Sequence, residues 1–503
     1  MSISAEEKVC YLREAAIVLA KEGFQSDEIH ADRLCIQLDG SPLCEVTESG
    51  GVAYHHAAYV LGSQGEPPTH YGLYSKKMLR RFLQENASMS STNNLNSLHA
   101  AGERIVRRSI AAVLPDEAVH RALDGIHFPG RVFLVAIGKA AWQMTSAALT
   151  CLGQVEHGIV ITKYGHLGGP LPNIDFYEGG HPVPDESSLQ ATEAVLHLTR
   201  GLRMDDTVLF LISGGGSSLF EKPLIPLEEL QSITEQLLAG GADIVEMNTI
   251  RKRLSAVKGG RFALHCVPAQ VYAVILSDIL GDPMDMIASG PACVDPSTCN
   301  QALEIAEKYQ LKLSPSTWEL LQEETPKVLD NVAAKTTGSV RMLCAAAAQE
   351  CRALGYEPVL LTDRLCCEAR DAGSFLASIA CTHAGDGRDL AFLAGGETVV
   401  HIKGHGMGGR NQELALAAAL GIEGLENVLI FSVGSDGTDG PTDAAGGMVD
   451  GRSVGAMRRS GISPETALEN NDSYHALTAA DALIRTGPTG TNVNDIACVL
   501  IKR

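Results

Sequence analysis

Three stretches of this 503-residue chain gather residue types that handle anionic oxygen. In the stretch Val208 to Phe220, five apolar residues run into Ser213, Gly214, Gly215, Gly216, Ser217 and Ser218. A glycine run cannot continue a strand cheaply, because glycine loses the most backbone freedom on ordering. It can bend sharply and offer bare amide N–H groups, and the carboxyl end of a buried strand is where α/β proteins hold phosphate. In a second stretch the apolar run Val132–Ile137 meets Gly138-Lys139-Ala140. A lysine at a helix start faces the positive end of the helix dipole, which favours an anion partner beside it. The upstream glycine and the following Ser/Thr of a Walker A loop are missing. In the third, Gly408-Gly409-Arg410-Asn411-Gln412-Glu413 opens an apolar helix, and Arg410 suits a clamp on phosphate or carboxylate.

Carboxylates accompany these cations. Asp278 and Asp282 follow the buried strand 272–276, a position suited to magnesium or to a general base. Asp436, Asp439 and Asp443 crowd a glycine-rich turn and could hold hydrated magnesium, although the spacing is not that of an EF-hand. Arg251, Ser255 and Lys258 fall four and three residues apart, which on a helix places them on one face, with Gly259-Gly260 as the stop. His181 stands in Gly179-Gly180-His181-Pro182-Val183-Pro184, a stiff loop that would fix it in place. A competing reading comes from Gly404-x-Gly406-x-x-Gly409, which spells a dinucleotide fingerprint between an expected strand 398–402 and a helix. It would make the chain an NAD(P)H-linked reductase, yet no acid follows about 20 residues on at a strand end, since Glu426 precedes the strand 428–433.

The elements that must position these residues alternate between strand and helix from Leu95 onward. Strands are expected at 132–137, 158–162, 208–212, 272–276, 358–361, 391–393, 428–433 and 496–501. Helices are expected at 96–113, 227–238, 301–309, 315–323, 340–352, 368–383 and 414–420. Residues 1–92 read as a separate small α+β extension, with helices at 5–22 and 78–84, a strand at 34–38, strand pieces around Gly50-Gly51, and a polar linker at 85–94. His55, His56 and His70 within it lack a ligand spacing. The net charge of −20 argues against a nucleic-acid binder but not against a local basic pocket. Thirteen cysteines without a framework, an acidic polar amino terminus and no apolar run of membrane-spanning length together suggest a cytoplasmic protein with reduced thiols. Cys366-Cys367 reads as a core or turn pair.

In their order and density these strings resemble the type-2 glycerate kinases, over about residues 95–503. The resemblance rests on Ile137-Gly-Lys-Ala140, Gly180-His-Pro-Val-Pro-Asp185, Ile212-Ser-Gly-Gly-Gly-Ser217, Asn248-Thr-Ile-Arg251 with Lys258, Ser277-Asp278 with Gly281-Asp282, and Ala288-Ser-Gly-Pro291. It continues in Gly395-Gly-Glu397, Gly408 to Glu413, Asp436 to Ala444 and Gly490 to Asp495; Val340 departs from it, where asparagine is usual. The resemblance implies two α/β domains with a cleft between them, a Rossmann-like kinase region at 95–335 and a MOFRL domain at 336–503 whose last strand could return to the first. It implies phosphorylation of D-glycerate at the C2 hydroxyl with ATP and Mg²⁺, and it leaves a homodimer open. Lys139, Arg410 and Asp278 would be catalytic. Ser213, Gly214, Gly215, Gly216, Ser217, Asn248, Arg251, Lys258, His181, Glu397 and Asn411 would bind substrate or phosphate. Asp282, Asp436, Asp439 and Asp443 would be the metal candidates, with the choice between base and metal ligand left open among the aspartates.

Overall fold

In this computed structural model the described residues are 35–38, 41–46, 52–54 and 98–503. The chain divides into two compact units, Met1–Ala100 and Ala101–Arg503. In the first, β1 (Cys35–Leu38), β2 (Ser41–Val46) and β3 (Val52–Tyr54) form an antiparallel meander. The strand expected at 34–38 and the strand pieces around Gly50-Gly51 are therefore present. The expected helices 5–22 and 78–84, the linker 85–94, and His55, His56 and His70 lie outside the described residues.

The second unit contains two six-stranded sheets. The first is made of β4 (Val132–Ile137), β5 (His157–Lys163), β6 (Ile174–Gly179), β7 (Thr207–Ile212), β8 (Gln270–Leu276) and β9 (Val332–Gly338). Its order is β6-β5-β4-β7-β8-β9, parallel throughout. Parallel strands covered on both faces read as continuous apolar runs, which is why β4, β7 and β8 were legible while the more polar β6 and β9 were not. The winding direction reverses between β4 and β7, so a crevice opens at the carboxyl ends of those two strands. Below it Phe210, Phe220 and Phe262 pack with ring centroids 4.9–5.8 Å apart.

The second sheet comprises β10 (Glu357–Leu365), β11 (Leu390–Gly396), β12 (Val428–Gly434), β13 (Gly446–Asp450), β14 (Leu483–Ile484) and β15 (Asp495–Ile501), in the order β10-β11-β15-β12-β13-β14. Only β10 and β11 run parallel. The final strand does not return to the first sheet, the arrangement the resemblance left open; β15 lies at the centre of the second, between β11 and β12. The change of sheet comes after Gly338, because β9 crosses the expected boundary at 335. No regular strand forms at 398–402, where Val399 makes one isolated bridge to Glu368.

The two sheets touch through loops. The Thr491 hydroxyl, just before β15, donates to the Val113 carbonyl at 2.8 Å. Asn494 Nδ2 donates to the Asp278 carbonyl at 3.1 Å, which ties the carboxyl end of β8 to the start of β15.

Candidate active site

At the winding reversal the strand ends are packed closely enough to dictate glycine. Gly138 has φ +108°, and a Cβ there would lie 2.4 Å from the Ser213 carbonyl oxygen. A Cβ on Gly214 would stand 2.3 Å from the Asp278 carboxylate, and one on Gly215 (φ +87°) 2.9 Å from the His181 ring and 3.5 Å from the Lys139 side chain. Those clearances place the β4 end (Lys139), the β7 bend, the β8 end (Asp278) and the loop after β6 (His181) around one spot. Hydrogen bonds lock the bend: Lys139 N–H to the Gly214 carbonyl at 2.9 Å, and Ala140 N–H to Ser213 Oγ at 3.1 Å. The Lys139 ammonium makes no ion pair with a described residue. Burial, then Lys139, Lys163 and His166, hold the His181 imidazolium below its usual pKa. Burial raises the Asp278 carboxyl, Glu397 adds to that, and Lys139 pulls it back.

Behind the bend lies a buried charge cluster. Lys258, fully buried, donates to the carbonyls of Ser217 (2.7 Å) and Phe220 (3.1 Å), and stands 3.5 Å from Glu221. Arg251 donates to the same Ser217 carbonyl at 3.3 Å and lies 3.7 Å from Glu221. Burial pushes the Lys258 ammonium down to about 8, with Glu221 opposing. Ser289 links Asn248 Oδ1 (2.8 Å) to the Ser217 hydroxyl (3.2 Å). Lys258 and Asn248 thus brace the bend from beneath instead of lining the crevice. The expected helical face of Arg251, Ser255 and Lys258 does not form. Helix Ile244–Arg253 stops because the chain beyond it pairs with residues 222–224, through Leu224 N–H to Leu254 O and Ala256 N–H to Lys222 O.

The facing wall belongs to the second sheet. Arg410 begins helix Arg410–Gly421 and grips Asp495 with Nε (2.5 Å) and Nη2 (3.0 Å), while Nη1 lies 3.1 Å from Glu397. Asn494, at φ +66°, donates at once to Glu397 (3.1 Å) and to the Asp278 carbonyl, and its Oδ1 is buried without a partner. Contacts thus run unbroken from Lys139 through the bend, Asp278, Asn494 and Glu397 to Arg410. Burial alone would lower the Arg410 guanidinium, but Asp495 and Glu397 carry it above its ordinary value. Burial pushes Asp495 up to about 6 against the pull of Arg410.

Several residues singled out in the sequence have other work here. Asp439 is turned inward and accepts from Asn411 N–H (3.1 Å), Gln412 N–H (2.9 Å) and Gln412 Nε2 (2.9 Å), so it caps the helix. Asp443 is bound to Tyr474 and Arg485. Asp436 takes the Thr438 N–H at 2.9 Å. Asn411 is buried, with its Oδ1 on the Ser432 hydroxyl at 2.6 Å, and does not face the crevice. Among the described residues no three His, Cys, Asp or Glu side chains gather as a metal cluster. What remains fits a magnesium ion that keeps most of its waters and leans on phosphate oxygens: Asp278 accepts no hydrogen bond from another described residue, and Asp282 Oδ1 is buried without a donor. Asn494 and Asp495 stood in the sequence only within the string Gly490 to Asp495 and were given no role, although a short amide and an acid at the start of an apolar strand were a usable signal.

The dinucleotide reading also meets its test. The backbone N–H groups of Lys403 and Gly404 both donate to Asn471 Oδ1, that of His405 to Asn470 Oδ1, that of Gly406 to the Asn470 carbonyl, and that of Met407 to Asp472 Oδ1. A Cβ on Gly404 would sit 2.2 Å from the Asn470 carbonyl oxygen. These glycines pack a loop onto 470–472, and the amides that would hold a pyrophosphate are engaged.

Residues 101–322 match a family described as a domain of unknown function (DUF4147), and residues 390–495 match the MOFRL family. A D-glycerate 2-kinase from Thermotoga maritima is 52% identical over 412 residues, which span 80% of this chain and 99% of that protein. A crystal structure of glycerate kinase from the same organism aligns with a TM-score of 0.79 at 51% identity, covering 81% of this chain and 100% of that one. An Agrobacterium vitis chain named putative hydroxypyruvate reductase is 41% identical over 387 residues, 74% of this chain and 100% of that protein. None of the described helices is long and apolar enough to cross a membrane. Ten cysteines from Cys151 to Cys498 are free thiols, and Cys366 and Cys367 are exposed just past β10.

Proposed function

The chain belongs to the MOFRL family of glycerate 2-kinases, and we propose that it transfers the γ-phosphoryl group of ATP to the C2 hydroxyl of D-glycerate, giving 2-phosphoglycerate and ADP. The observation that carries this reading is the convergence of Lys139, the Ser213–Ser217 bend and Asp278 at the sheet's winding reversal, joined through Asn494 to Glu397 and Arg410. Phosphoryl transfer needs little covalent help from a protein; it needs reactants aligned and charge met by fixed donors.

In this assignment Lys139 and the backbone N–H groups of the bend meet the oxygens of the transferring group. Asp278 accepts the C2 hydroxyl proton, a task for which a carboxyl raised by burial is suited. Arg410, held in place by Asp495 and Glu397, faces the substrate carboxylate. His181 closes the side of the bend next to Lys139. Magnesium, carried in with ATP, would neutralise charge on the phosphates, and Asp282 is the carboxylate that would hold it.

The reductase alternative is not favoured. Relatives bearing that name are less similar than the Thermotoga maritima glycerate 2-kinase, 41% and 40% against 52% identity, and the loop a reductase would need is closed off by residues 470–472. The test is a product assay. Release of ADP should require both D-glycerate and magnesium, and phosphorus NMR should identify 2-phosphoglycerate. Formation of 3-phosphoglycerate, or oxidation of NADH on adding hydroxypyruvate with no ADP formed, defeats the reading.

A further inference from the structure

One cation beside this crevice has no part in the arrangement above. β10 follows β11 in regular parallel register from Glu357 to Leu360, then slips twice, between Leu360 and Thr362 and between Thr362 and Leu365. Irregularities of this kind re-aim side chains and cluster beside active sites. Asp363, in the second slip, accepts from Arg341 at 3.0 Å. Its neighbour Arg364 reaches across to the first sheet, where its guanidinium lies over Gly281. A Cβ on Gly281 (φ +85°) would be 2.9 Å from Nη2 and 3.0 Å from Cζ, so the guanidinium sits directly against the Gly281 backbone. Gly281 belongs to the loop leaving β8, between Asp278 and Asp282.

The side chain of Arg364 is exposed, and its guanidinium makes no hydrogen bond or ion pair with a described residue. Its neighbours differ. Arg410 is gripped by two carboxylates, Lys258 is buried against carbonyls, and Arg251 donates to Ser217. A planar fork of donors held at the rim of a phosphotransfer site, with none of them engaged, matches a chain of phosphates. The singly charged carboxylate of a three-carbon acid is the poorer match, because Arg410 already faces it, whereas a triphosphate extends outward to the rim.

We infer that Arg364 binds the phosphate chain of the donor nucleotide, from the second sheet, while Lys139 and the glycine bend hold it from the first. This rests on the phosphotransfer reading. It is tested with Arg364→Ala and Arg364→Lys in the full chain, using ADP titrated calorimetrically without glycerate, followed by steady-state kinetics. Since the side chain is exposed, both variants should melt as the wild type does. ADP should bind Arg364→Ala about tenfold more weakly, the size expected of a charge-assisted contact, with partial recovery in Arg364→Lys. The KM for ATP should rise in proportion, and that for glycerate should stay within about twofold, since uniform ground-state contacts act on one substrate only. ADP affinity within about twofold of wild type, or a rise in the glycerate KM in place of the ATP KM, overturns the assignment. Calorimetry reads nucleotide binding without turnover. A wild-type chain that binds ADP but leaves glycerate unphosphorylated therefore defeats the proposed reaction and still decides the role of Arg364, while one that does not bind ADP defeats both.

Discussion

The two walls of the crevice hold their cations in opposite ways. On the first sheet, Lys139 stands at the winding reversal with its ammonium unpaired among the described residues, and the bend beside it offers backbone donors. On the second, Arg410 is fixed by Asp495 and Glu397 before any ligand arrives. An unpaired cation contributes field; one clamped by carboxylates has lost much of its net field and keeps its geometry. The division explains how a chain of net charge −20 can present an anion site. The second wall is a mixed one, its arginine set against two carboxylates.

If the first wall supplies the charge, Lys139→Ala should be the most damaging single change. We expect kcat/KM to fall about a thousandfold, as when a transition-state donor is removed, at an unchanged melting temperature. Near wild-type turnover in that variant would break the comparison outright.

Arg410→Ala should lower kcat/KM about a hundredfold, and it should also move stability with pH through Asp495. The folded-state pKa of Asp495, about 6, exceeds the unfolded value of about 3.9. Its contribution to stability is therefore complete below about pH 4 and is lost as pH rises through 6. Removing Arg410 removes the interaction that opposes burial, so the pKa climbs further and the loss extends upward. The variant should trail wild type by more degrees at pH 8 than at pH 5. Equal deficits in melts at the two pH values would mean that Asp495 is not held by Arg410 in solution.

The first wall was far more legible in the sequence than the second, and the reason is physical. β4, β7 and β8 are buried apolar runs that stop at Gly138, Ser213 and Ser277, so the run and the break in it are both local signals. Lys139, the bend and Asp278 fall at those breaks. The second sheet is mixed, and its central strand β15 comes last in the chain, so its neighbours are set by long-range pairing that no local pattern records. Arg410 was found because it opens a helix, yet its partner Asp495 comes 85 residues further on. The same blindness produced the false basic face, where Arg251 and Lys258 shared a helical spacing but the helix ended at Arg253.

Lys258 sharpens the contrast at a smaller scale, because it too is a cation held by the fold, this time beneath the first wall. Its pKa of about 8 lies below the ordinary lysine value of about 10.4. Burying the charged form therefore costs stability below about pH 8, and the cost disappears as pH rises from 8 to above 10. Lys258→Met removes that dependence, so the wild type should gain on the variant between pH 8 and 10 in denaturant titrations. Turnover should drop about tenfold through loosening of the Ser217 end of the bend, with Lys258→Arg recovering part of it. A variant with unchanged kcat and no altered pH trend would show that the bend does not depend on its brace.

The smallest expected effect separates the aspartates that look alike in the sequence. Asp443 is solvent-facing, and Tyr474 and Arg485 hold its two oxygens, so its carboxyl lies below its usual range because of those contacts and not because of any ion. Asp282 keeps one buried oxygen without a donor, beside the crevice. Asp443→Asn should leave kcat/KM and the magnesium concentration for half-maximal rate within about twofold of wild type, whereas Asp282→Asn should shift the magnesium requirement about tenfold. If the two variants need the same extra magnesium, the glycine-rich turn at 434–447 takes part in the phosphotransfer site after all. The second wall would then supply charge as well as placement, and the contrast between the walls would fail at its base.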